Sequence, residues 1–286
     1  MFVIIGSVIV CACVFGGYAA MGGKLGVLWQ PWEFVIILGA ATGAMVVAST
    51  GPALKANMAG FIKLMKGPKY RKAAYLELLS LLYQVFKLAK SKGMLALEAH
   101  VEKPEESSLF AQFPKFSADH HAVEFLCDYL RLMTLGTENP QEMEALMDAE
   151  LETHHQENHQ AQHAIQRIAD GLPALGIVAA VLGIIKTMGS ITEPPAVLGK
   201  MIGGALVGTF FGVFAAYGFF APMASALTSA NEADDKFYIC IKAGILAHLQ
   251  GYPPAVSVEF ARKAIFSPSR PDFYEVEKAV GELAPV

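Results

Sequence analysis

Residues 201–227 read MIGGALVGTFFGVFAAYGFFAPMASAL, and the fold follows from how such a stretch must be buried. It carries no Asp, Glu, Lys, Arg or His and exceeds the ~20 helical residues that cross a bilayer. Gly204, Gly208 and Gly212 recur every fourth residue, which lays a glycine groove along one helix face. Thr209 supplies a hydroxyl at mid-depth, and Pro222 interrupts the backbone near the far end. An anchor that faces only lipid needs none of these features. A helix pressed against other helices, with a polar spot and a built-in break, uses all of them.

The rest of the chain agrees with a membrane setting. Of its 286 residues, 54% are hydrophobic and 17% charged, against about 45–50% and 25% in soluble domains. This composition fits a polytopic membrane protein with a substantial soluble portion. The net charge of −4 provides no basic field for nucleic acid. Cys11, Cys13, Cys127 and Cys240 show no spacing for zinc or a disulfide framework, so free thiols are expected. No Lys or Arg precedes Lys24, and the apolar run 2–21 is longer than the roughly 7–15 residues of a secretory signal core. It reads as a retained transmembrane helix.

Four spans are expected, at about 2–21, 34–50, 172–190 and 201–227. Trp29 and Trp32 flank the second span as an aromatic belt, and Gly39 and Gly43 in it have GxxxG spacing. Past Pro52, Lys55, Lys63, Lys66, Lys69, Arg71 and Lys72 crowd the membrane exit, which marks that side as cytoplasmic. In 70–93, Leu78, Leu79, Leu82, Val85, Phe86 and Ala89 follow helical spacing; in 123–135, Phe125, Leu126, Tyr129, Leu130 and Met133 do the same. Asn139-Pro140 reads as a cap and first helical residue, opening a helix through 141–170. The tail is helical at first, then punctuated by Pro253, Pro254, Pro268 and Pro271. The expected architecture is all-α. Transmembrane helices 1 and 2 occupy 1–51, and a helical cytoplasmic domain 52–167. Helices 3 and 4 occupy 168–227, and a cytoplasmic tail 228–286. Both termini and the large loop lie inside.

The span interiors lack an acid; Glu33, Asp170 and Glu193 fall only at boundaries. A proton carrier needs an ionisable group within the membrane. Either this chain moves no ions, or a partner helix supplies the acid. Gly176, Ala180 and Gly183 form a second small-residue face, suited to close packing against this chain's own helices or against a partner. Thr209 either bonds the carbonyl one turn back or lines a narrow wet path. Pro173 and Pro222 each remove a donor and free a carbonyl, near Ala169 and Gly218; the pair is a hinge or a static kink. His155, His159 and His163 share a helix face with Glu152. That spacing is metal-compatible, but without a second ligand set it reads as a solvated face. The charges from Lys87 to Glu106 form either a solvated surface or a docking surface that steers encounter. No nucleophile–base constellation or phosphate loop stands out, so the chain is not expected to be an enzyme.

Several segments resemble the flagellar motor stator A subunit, the MotA/PomA family. They are VFGGYAAMGGKLGVLWQPWEFVIILGAATG, LLYQVFKLAKSKGMLALEAHVEKPEESSLF, EALMDAELETH, GLPALGIVAAVLGIIKTMGS, GALVGTFFGVFAAYGFFAP and GYPPAVSVEFARK. Together they extend over essentially the whole chain. The resemblance implies five A subunits around two single-span B subunits (MotB-like), whose membrane Asp binds the ion. It also implies a bacterial inner-membrane location, and torque delivered through the rotor switch protein FliG. By motif, Pro173 and Pro222 match the family's paired membrane prolines, Thr209 the threonine facing the partner's acid, and Glu98 a rotor-contacting acid. Lys90 stands where many members have arginine, keeping the charge but losing a bidentate fork.

Sodium-type members carry a second threonine where this chain has Ala180. A dehydrated sodium ion wants several oxygen ligands, whereas a proton needs a carboxylate and a water path. Ala180 beside a lone Thr209 therefore favours a proton as the transported ion, with no other cofactor. The alternatives are an ExbB/TolQ-type proton-driven energiser, which has three spans, and a stand-alone transporter, which should carry its own intramembrane acid.

Overall fold

The structure, a computed structural model, describes residues 2–137 and 139–284. The domain limits drawn at residues 1 and 286, and the side chains of residues 52 and 55, lie outside the described residues. Every described element is helical, and four helices are long and apolar enough to cross a membrane. The chain divides into two compact units, Met1–Gly67 with Asn158–Ala230, and Pro68–Glu157 with Asn231–Val286.

The first unit holds α1 (Phe2–Ala20), α2 (Pro31–Val47), α3 (Gly51–Lys66), the later part of α8 (Pro140–Met188) and α9 (Pro195–Ala215). A π-helical turn, Ala216–Phe220, and the start of α10 (Ala221–Leu249) complete it. Its interior is built from small side chains: Ala41, Ala179, Ala215 and Ala216 cluster with Ile37 and Leu172. A second cluster joins Leu64, Ala161, Ile165, Ala224 and Leu227. Apolar side chains cover the outside: Val8, Val35, Val47, Ile185 and Leu206 are all exposed. That inversion, small residues inside and branched ones outside, is what lipid-facing helices need, because the bilayer gives no hydrophobic reward for burying Leu and backbone proximity supplies the attraction instead.

The second unit is organised as a water-soluble core. Its remaining helices are α4 (Lys72–Lys92), α5 (Leu95–Glu102), α6 (Pro114–Ser117), α7 (His120–Thr134), α11 (Pro254–Lys263) and α12 (Phe273–Gly281). Leu78, Leu79, Leu82, Val85 and Phe86 of α4 are fully buried, as the periodicity predicts. Leu81 and Leu88 are buried too, because α5, α11 and α12 cover α4 on more than one face. Tyr70 stacks on Phe237 at 3.8 Å between ring centroids, and its hydroxyl donates to Asp119 Oδ2 at 2.6 Å.

Two features differ from the sequence expectation. The helix opened by Asn139, whose side-chain oxygen accepts from Gln141 N–H at 3.1 Å, does not stop near residue 170. It runs without interruption through Pro173 to Met188. Helix propensity does not change where composition turns apolar, so the polar helix and the third span are one element. The tail is no appendage: Phe237, Ile241, Ile245, Val258 and Val276 belong to the same core as α4 and α7. The compact units divide at 67, 157 and 230, because helix packing continues beyond the apolar stretches.

Candidate functional site

The glycine groove of α9 meets a different neighbour at each step. A Cβ added to Gly212 would lie 2.5 Å from the Leu172 carbonyl oxygen and 2.9 Å from Gly176 Cα. One added to Gly176 would lie 2.7 Å from the Gly208 carbonyl oxygen, and one at Gly183 2.6 Å from Ala205 Cβ. Thus α8 and α9 pack backbone to backbone within one chain, with their glycine faces turned on each other. Gly208 and Gly204 instead receive side chains from the start of α2. A Cβ at Gly208 would lie 2.7 Å from Glu33 Oε2, and one at Gly204 3.1 Å from Gln30 Nε2.

Ala180 is buried, and its backbone nitrogen lies 3.2 Å from that same Gly208 Cβ position. The next residue, Thr209, is half-buried. The two residues singled out for the ion path therefore sit at one level of the α8–α9 seam. The carboxyl group of Glu33 joins them there, which sequence reasoning missed. Its backbone is at the boundary of the second span as expected, in the first turn of α2. Its side chain is not: it enters the seam, and Oε2 is buried without a hydrogen-bond partner. A contact between residues 33 and 208 leaves no local pattern in the sequence; the single clue is that Gly208 has no side chain to exclude it.

The two prolines behave differently. Pro173 is accommodated inside α8. Pro222 lies in the first turn of α10, one residue beyond the π-helical turn Ala216–Phe220. A widened turn is a way to absorb the missing donor and the ring clash with the carbonyl of Gly218, one turn earlier. Leu172, beside Pro173, shares a buried cluster with Ala215 and Ala216 at the entry to that turn. The sites in the soluble unit are surface features. Lys90 lies in the last turn of α4 and Glu98 in the first turn of α5, both exposed, joined by a turn at Gly93 with φ +85°. His155 Nδ1 is 2.8 Å from Asp235 Oδ2.

A four-span membrane protein, with glycine-packed inner helices and a compact helical soluble unit, has the build of a channel-forming subunit rather than of a soluble enzyme. Residues 4–93 match the motility protein A N-terminal family, and residues 117–236 match the MotA/TolQ/ExbB proton channel family. Motility protein A of Escherichia coli (strain K12) is 43% identical over 280 residues, covering 98% of this chain and 95% of the relative. Chemotaxis protein LafT of Vibrio parahaemolyticus is 37% identical over 278 residues, covering 97% and 98%. In fold, the chain resembles C. jejuni MotAB with a TM-score of 0.75 at 20% identity, covering 93% of this chain and 95% of that one. The chain of the Bacillus subtilis flagellar MotAB stator complex gives 0.71 at 24%, covering 90% and 92%. The chain belongs to the motility protein A family: it is a stator A subunit of the flagellar motor.

Proposed function

We propose that this chain assembles as five copies around two single-span B subunits, whose membrane Asp binds a proton in transit past Thr209 and Ala180. In this reading the termini and the soluble unit face the cytoplasm. Pro173 and Pro222 let the helices flex as the proton passes, while Lys90 and Glu98 meet the rotor switch protein FliG. The observation that carries the reading is the end-to-end relation to motility protein A, in which residues 4–93 match the motility protein A N-terminal family separately from the 117–236 region shared with TolQ and ExbB. Ala180 supports a proton over sodium, since it adds no oxygen ligand to that of Thr209.

The test is expression in a non-motile cell lacking its own A subunit, with and without a single-span partner bearing a membrane Asp. Swimming should need both chains, and a proton uncoupler should stop it. Speed should not follow sodium concentration at fixed proton-motive force. Motility without the partner, or speed that tracks sodium, would overturn the proposal.

A further inference from the structure

We propose that Glu33 is a proton-carrying group of the ion path, held in the α8–α9 seam by the missing side chain of Gly208. Pro31 starts α2, so the backbone at residue 33 is fixed one turn into the helix and its side chain is aimed by that start. The carboxyl group fills the notch left by two glycines: Oε2 lies 2.7 Å from where a Gly208 Cβ would be, and Oε1 3.4 Å from where a Gly183 Cβ would be. A Cβ at 208 would lie 2.7 Å from Glu33 Oε2, so any other residue there displaces the carboxyl end.

A carboxylate oxygen that is buried without a donor is costly, more so than an unpaired neutral group. A carboxyl kept only for packing would be expected to have its oxygens matched by the surrounding chain. Oε2 has no such partner among the described residues. The charged group that acts on Glu33 from α8 is Lys186. From α9 the neighbours are Ala205 and Gly208, neither of which titrates, and the Gln30 amide next to α2 is engaged with the Val27 carbonyl at 3.2 Å. The buried oxygen is therefore left without a donor from the described residues, beside Gly208, which precedes Thr209 and lies at the level of Ala180.

The step is a simple relay, and it rests on the function proposed above. The Glu33 carboxylate takes a proton from hydronium on the outer side, forming an O–H bond as one of hydronium's breaks and water is left behind. It then gives that proton, through water, to the carboxylate of the single-span partner and regains its starting charge. Nothing is oxidised or reduced. The chain thus contributes an acid of its own to a path that the sequence alone assigns entirely to the partner.

The test uses the whole complex in swimming cells, with assembled stators counted by a fluorescent tag. Glu33→Gln keeps the size and hydrogen-bonding capacity of the side chain but cannot carry a proton. It should assemble like the parent, slow swimming by about tenfold or more, and flatten the dependence of speed on external pH; Glu33→Asp should restore part of both. Gly208→Ala approaches the same group without altering the acid. It should give the same flattened pH profile, and should cost little more when combined with Glu33→Gln. An assembled Glu33→Gln motor with the parent's speed and pH profile overturns the inference, as does a Gly208→Ala defect that adds in full to that of Glu33→Gln. Either result leaves the stator assignment standing, whereas a parent chain that fails to support swimming overturns that assignment instead.

Discussion

Single residues in this protein obey two solvents. In the soluble unit Asp119 is buried, and burial alone would push its carboxyl up. The hydrogen bonds from Lys69, at 2.8 Å, and Tyr70, at 2.6 Å, outweigh that and hold it below the ordinary aspartate range. Burial also pushes the Tyr70 hydroxyl well above its ordinary value, so it remains a donor at every pH the cell meets. Tyr70→Phe keeps the stack on Phe237 and removes the hydroxyl, with its bond to Asp119 and its 3.4 Å contact to the Tyr238 hydroxyl. The expected cost is about 1–3 kcal/mol at neutral pH, read by chemical unfolding of the detergent-solubilised complex. The sign with pH follows from the lowered folded-state value. The stabilisation is present above the unfolded-state value of about 3.9 and is lost as pH falls through the folded-state value, so the gap between variant and parent should narrow in acid. A gap that widens in acid would mean that Asp119 is not the acceptor that matters. In the membrane unit a lone hydroxyl has no comparable setting, which is why Thr209 gains meaning from its level beside Ala180 and Glu33 rather than from a hydrogen bond of its own.

Among the helices, glycines with the same spacing differ in what they face. Gly212 and Gly176 have backbone within 3 Å of any added Cβ, whereas Gly39 and Gly43 of α2 have nothing within 4 Å in the chain. Gly212→Ala should therefore part α8 from α9 and destabilise the subunit by about 1–3 kcal/mol. Gly43→Ala should leave the subunit intact. If Gly43→Ala impairs assembly of the complex while the isolated subunit stays folded, the GxxxG face of α2 meets a neighbouring chain, and the expectation of a neutral change fails. Much of the element list was legible in the sequence, because periodic leucines, capped starts and apolar runs are local signals: the burial of α4 and α7, the Asn139 cap and the four spans all follow from them. What was not legible is long-range. The tail's share in the core of α4 and the entry of Glu33 into the seam each depend on residues far apart in sequence. The proline at 222 announced an interruption, but only its neighbours decide that the interruption becomes a π-helical turn instead of the end of a helix.

At the scale of the molecule the energetic scale is small. One charge falling through about 100 mV releases about 2.3 kcal/mol, so a working step must be carried by elements that do not dissipate it in local bending. The divisions between the two units at 157/158 and 230/231 fall inside α8 and α10, where the backbone is helical on both sides. A continuous helix resists bending more than a loop does, and the expectation that follows is that α8 carries force along its own length. Gln156 and Glu157 are exposed positions of α8, so replacing both by glycine removes no buried contact and costs only about 1 kcal/mol each in helix stability. The Gln156→Gly, Glu157→Gly protein should assemble and respond to the proton-motive force, yet lose torque when the motor works against high load. The same positions changed to alanine should behave as the parent. Tethered-cell rotation measures torque near stall and bead rotation at low load measures speed, so the two arms separate a compliant linkage from a blocked ion path. Equal torque near stall in the glycine and alanine variants would show that α8 does not carry the force, and the burden would then fall on α10.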